Sequence, residues 1–134
     1  MAEAFKFELV SPERLLVSEE VDSVIIPGAD GEMTVMAKHA PVMTTVKPGV
    51  VTVKPASGAE QRFVVFGGFA DILPEGCTLL AESAVAVKDI DRGDLSRRIQ
   101  EAKEDVADAK DDATRSRAEQ YLAHLSTLEA ALAA

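Results

Sequence analysis

Ala84-Val85-Ala86-Val87-Lys88-Asp89-Ile90-Asp91-Arg92-Gly93-Asp94-Leu95-Ser96-Arg97-Arg98-Ile99 contains the change of hydrophobic period that divides this chain. Back from it toward Phe5 the pattern is that of short strands. Phe5-Lys6-Phe7-Glu8-Leu9 alternates, and β-rich runs follow at 21–26, 50–53, 63–66 and 78–80. Turn residues punctuate them at Ser11-Pro12, Pro27-Gly28, Asp30-Gly31, Lys47-Pro48-Gly49, Ser57-Gly58 and Pro74-Glu75-Gly76. Each supplies a preset φ or tolerates a positive one. An antiparallel β-sandwich or barrel over residues 1–88 is the expectation. No stretch here has the length and period of a crossover helix, which argues against a parallel sheet.

Forward from Lys88 the period is helical. Leu95, Ile99, Ala102, Val106, Ala109 and Ala113 step by four and three, and Tyr121, Leu125, Leu128 and Leu132 repeat the pattern. Asp89 or Asp91 is placed to cap a first helix; Asp111, Asp112 or Thr114 is placed to cap a second. An α-helical hairpin over residues 89–134 is the preferred reading. The break at 111–116 contains no Gly or Pro, so one long helix laid on a partner stays open as an alternative. The first stripe is mostly Ala and Val and buries little apolar area per turn, which suits a weakly docked element.

Composition agrees with two parts. Every Gly and Pro of the 134 residues lies before residue 94, and 47% hydrophobic content is ample for a core. The net charge of −9 is spread evenly: seven basic against twelve acidic residues over 1–88, seven against eleven over 89–134. Neither part offers the positive field that nucleic acid or anionic lipid requires. No apolar stretch approaches the roughly 20 residues of a membrane span. A lone cysteine and an N-terminus without a basic flank and apolar run favour a reducing cytoplasm.

The residues offer no catalytic constellation. His39 and His124 stand apart, and no Cys–His cluster has metal-ligand spacing. Cys77 has no neighbouring base in sequence and reads as a buried small residue. Gly28-Ala29-Asp30-Gly31 lacks the Lys-Ser/Thr of a phosphate loop and reads as a turn. Gly67-Gly68 inside a strand run marks a bulge or a close backbone approach. The acidic run from Glu101 to Asp112 is interleaved with Lys103 and Lys110, as on a solvated helix face. The loop-rich stretch 27–43, with Met33, Met36 and Met43, has the adaptable chemistry of a protein-binding edge.

The matching segments are Val10-Ser11-Pro12-Glu13-Arg14, Pro27-Gly28-x-x-Gly31-Glu32, His39-Ala40-Pro41, Lys47-Pro48-Gly49, Phe63-Val64-Val65-x-Gly67-Gly68-Phe69 and Leu80-Ala81-Glu82. In order and spacing they resemble the ATP synthase epsilon family. The resemblance implies an N-terminal sandwich of about ten antiparallel strands seated on the gamma subunit, followed by a helix pair. It implies a non-catalytic rotor role on the cytoplasmic face of a bacterial inner membrane, with membrane contact only through partners. Glu32 would face polar loops of the membrane c-ring, and Ser11, His39 and Thr44 would lie on or near the gamma-facing surface. Arg115 and Arg117, at the start of the second helix, would be the residues available to alpha and beta subunits. Some family members bind ATP through Ile/Leu-Asp-x-x-Arg-Ala. Here Ile90-Asp91-Arg92-Gly93-Asp94-Leu95 puts Asp94 in place of that Arg, so no cofactor is expected. An ATP-sensing inhibitor and a stand-alone sandwich adaptor are the alternatives.

Overall fold

The computed structural model describes residues 3–133. Among the described residues seven strands precede two helices: β1 (Phe5–Val10), β2 (Leu15–Gly28), β3 (Gly31–Val35), β4 (Val42–Pro55), β5 (Gln61–Leu73), β6 (Gly76–Ala81) and β7 (Ala84–Ala86). A 3-10 turn over Val87–Asp89 leads to α1 (Arg92–Asp108) and α2 (Asp112–Ala133). The chain divides into two compact units at Lys88 and Asp89.

The strands run in the order β1-β6-β5-β4-β2-β3, with β7 on β5 and a further pairing of β1 with β2. Five strands therefore close on themselves, giving a sandwich with a barrel-like connection at one end. The count is seven rather than about ten because β2, β4 and β5 are long, at 14, 14 and 13 residues. The turn-like pair Pro48-Gly49 is carried inside β4, while Pro27-Gly28 ends β2. The expectation of purely antiparallel pairing is corrected at one place, since β1 lies parallel to β6 from Lys6↔Gly76 to Val10↔Leu80. No crossover helix is required, because β2 to β5 form the connection.

Alternation in β1 sends Phe5, Phe7 and Leu9 inward, where they meet Val17, Val21, Val51, Val53, Val65, Ile72 and Leu79 in one apolar core. Burying a side chain such as Phe7 contributes about 2–3 kcal/mol. Gly67 and Gly68 have φ of +114° and +149°, and Gly68 lies against the backbone of β6. The bulge or close approach read from this pair is thus a close approach.

In the second unit α1 and α2 pack against one another. Asp91 caps α1, its Oδ1 accepting from the N–H groups of Gly93 at 2.8 Å and Asp94 at 3.2 Å. The first helix ends at Asp108, so Ala109 is its cap and Ala113 belongs to α2, not to the first stripe. Asp111 ends the open choice: its side chain accepts from Thr114 N at 2.7 Å and Thr114 Oγ1 at 3.0 Å. That carboxylate replaces the carbonyl a continuous helix would offer, and starts a new helix without Gly or Pro. Leu95, Ile99 and Ala102 of α1, and Leu125 and Leu128 of α2, are buried.

Candidate docking surface

The sandwich buries one side of each strand and must present the other. Residues directly opposite across a ladder share a face, so the outward positions can be followed from strand to strand. Thr45 of β4 pairs with Phe69 of β5, Phe69 with Leu80 of β6, Leu80 with Val10 of β1, and Val10 with Leu15 of β2. Phe69 is 49% exposed, Leu80 55% and Leu15 54%. Met43, at 70% exposure, stands two residues before Thr45 on the same side of β4. Scattered single apolar residues on a surface are ordinary, but an aligned row across several strands is the mark of a face that meets another apolar surface.

The residues singled out in the sequence take different places around this row. Ser11 follows Val10 and opens a tight turn, with Ser11 N donating to Arg14 O at 2.9 Å and Arg14 N to Ser11 O at 3.2 Å. Thr44 lies between Met43 and Thr45 but pairs with the buried Ala70, so its side chain is on the opposite side of β4 from the row. Its hydroxyl donates to Thr45 O at 3.2 Å. His39 sits in the loop before β4, where its Nδ1 donates to Ala40 O at 2.8 Å. Lys38 N donates to Pro74 O at 3.0 Å, which places that loop beside the β5–β6 turn. Glu32 is exposed on β3 opposite Pro27, and its hairpin is tied to the row by Ala29 N donating to Thr45 O at 3.0 Å.

Arg115 and Arg117 are engaged within the helical unit. Arg115 donates to Ala109 O at 3.1 Å and to Asp112 at 3.3 Å, closing the end of α1. Arg117 reaches Thr114 Oγ1 at 3.5 Å. On α1, Asp94 accepts from both Arg97 and Arg98. These bonds, led by that of Arg98, hold the Asp94 carboxyl below its usual range.

Cys77 is buried in the core, where desolvation, then the charge of Asp71, pushes its thiol up to about 12. It is no nucleophile at neutral pH. Among the described residues no group of His, Cys, Asp and Glu could hold a metal, and no helix is long and apolar enough to cross a membrane.

Residues 4–87 match the family model described as ATP synthase, Delta/Epsilon chain, beta-sandwich domain. An ATP synthase epsilon chain of Mesorhizobium japonicum is 81% identical over 132 residues, covering 98% of each chain. The chain belongs to the ATP synthase epsilon family. A second epsilon chain, from Chelativorans sp., is 64% identical over the same coverage. Among solved structures, a chain of the Euglena gracilis mitochondrial ATP synthase OSCP/F1/c-ring assembly superposes with a TM-score of 0.75 at 28% identity, covering 96% of this chain and 81% of that one. A chain of the Tetrahymena thermophila central stalk/c-ring structure reaches 0.72 at 11% identity with 98% coverage of each, a likeness of fold alone.

Sequence reasoning missed Leu15, Phe69 and Leu80 as surface residues of an epsilon-family sandwich. The signal was present at Leu79-Leu80, because consecutive residues of a strand face opposite sides and only one of the two can enter the core.

Proposed function

We propose that this chain is a non-catalytic rotor subunit in the central stalk of a proton-translocating ATP synthase. Residues 1–88 seat on gamma through the exposed apolar row, and the Glu32 hairpin meets polar loops of the membrane c-ring. The row Thr45–Phe69–Leu80–Val10–Leu15 is the observation that carries the reading, since it supplies the apolar centre a stable protein interface requires. A closed ring of paired strands suits torque transfer, because it has no free ladder along which to slip. Residues 89–134 give at most weak restraint of hydrolysis through alpha and beta, a reading supported by Arg115 being spent on its own helix ends. Asp94 occupying both Arg97 and Arg98 supports the absence of a nucleotide site. The subunit is peripheral, on the cytoplasmic face of a bacterial inner membrane, and reaches the bilayer only through partners.

Equilibrium binding of the purified full chain to an epsilon-depleted, gamma-containing ATPase core tests this. Saturable one-to-one binding by the native chain, weakened at least about a hundredfold by Phe69→Asp, is the expected result. Equal binding by the two proteins would remove the apolar row from the interface, and no binding by the folded native chain would return it to the adaptor reading.

A further inference from the structure

Resting on that docking reading, we propose that the groove between the Ser11–Arg14 turn and the Glu82–Ala84 link receives a basic side chain of the partner seated on the apolar row. The groove holds about 320 Å³ and is lined by Ser11, Glu13, Arg14, Glu82 and Ser83, with Pro12 and Ala84 at its sides. It is continuous with the row: Ser11 follows Val10, the last residue of β1, and Glu82 follows Ala81, the last residue of β6, two residues beyond Leu80. A partner that covers Val10 and Leu80 therefore covers the mouth of the groove.

The charge inside fits a cation. Glu13 and Glu82 against Arg14 leave one net negative charge, and none of the ion pairs of the described residues engages any of the three. Glu82 is held in place by its backbone, its N–H donating to Gly67 O at 3.0 Å. Across from it Gly67 has no side chain, and a Cβ there would stand 3.4 Å from Glu82 Oε2. The carboxylate thus lies over bare backbone with its oxygens free for a donor from outside. Two carboxylates lining one groove suit the forked donors of a guanidinium, or an ammonium with three donors. A net charge of −9 on the whole chain steers the same kind of partner toward it. The apolar row then supplies most of the affinity, and the groove fixes the register in which the partner lands.

The probe is the epsilon-depleted, gamma-containing ATPase core, titrated at low and high salt with the native chain, Glu82→Gln, Glu13→Gln, Glu82→Asp and Phe69→Asp. Both carboxylates are exposed, so the Gln variants are expected to melt with the native chain. Each Gln variant should bind roughly tenfold more weakly at low salt with a flatter salt dependence, and Glu82→Asp should recover part of the loss. Native affinity and native salt dependence in both Gln variants would overturn the groove, whatever Phe69→Asp does. Native affinity in Phe69→Asp would instead overturn the apolar-row reading, and weakened Gln variants would then support the groove alone.

Discussion

Gly68 lies so close to Leu80 across the β5–β6 ladder that a Cβ on Gly68 would stand 2.2 Å from the Leu80 carbonyl oxygen and 2.9 Å from Ala81 Cα. Both obstacles are backbone, and β6 is held on its far side by β1, so neither can withdraw. Gly68→Ala is expected to cost more than about 4 kcal/mol in urea unfolding. Gly58→Ala, with φ +120° but open space around it, should cost only about 1–2 kcal/mol.

Leu79 and Leu80 are neighbours with opposite duties. Leu79 is wholly buried and Leu80 half exposed. Leu79→Ala should destabilise the sandwich by about 2–5 kcal/mol. Leu80→Ala should leave the melting midpoint nearly unchanged and weaken binding to the gamma-containing core, as followed by calorimetry on both variants.

The Cys77 thiol, pushed up to about 12 by burial, should resist iodoacetamide in the native protein at pH 8 and react fully once urea unfolds it. Labelling at the native concentration of denaturant then reports opening of β6 itself. Rapid modification without denaturant would contradict the packing of this strand.

Asp111 and Asp94 both titrate below their usual range. Thr114 holds Asp111 down through its backbone N–H and then its hydroxyl, while Arg98 and then Arg97 hold Asp94 down. A folded-state value below the unfolded one adds stability that is fully present above the ordinary carboxylate value of 3.8 and is lost as pH falls through the lower folded value. Helix content of the second unit should therefore fall on acidification below about pH 4. Asp111→Asn, which keeps an acceptor but not the charge, should flatten that dependence in circular dichroism.

Glu32 is exposed on an edge strand, so Glu32→Ala should fold and bind the core as the native chain does. Its cost is expected in the assembled enzyme, as a lower ratio of ATP-driven proton pumping to hydrolysis. An unchanged ratio would remove Glu32 from the contact with the ring.

The sandwich and the two helices were legible because their periods differ and because Asp91 and Asp111 are strong caps. Strand number was not legible: Pro48-Gly49 is a turn pair by type, yet it lies inside β4, which stays paired with β5 before and after it. The parallel contact of β1 with β6 was hidden for another reason, since it joins the two ends of the sandwich sequence and leaves no local trace. Likewise, the apolar row is assembled from residues of five strands, and only the register brings Phe69, Leu80 and Val10 side by side. Thr44 shows the converse, a residue of the right strand whose alternation turns it from the row.

Because β1 is paired on one side with β2 and on the other with β6, its second edge stays open during synthesis until Ala81 has left the ribosome. The strand made first must wait for nearly the last one made. Such a long sequence separation slows closure and leaves the nascent chain with two sticky edges at once. The feature that seals the finished sandwich is thus also the interval in which the chain is most exposed to chaperones and to aggregation.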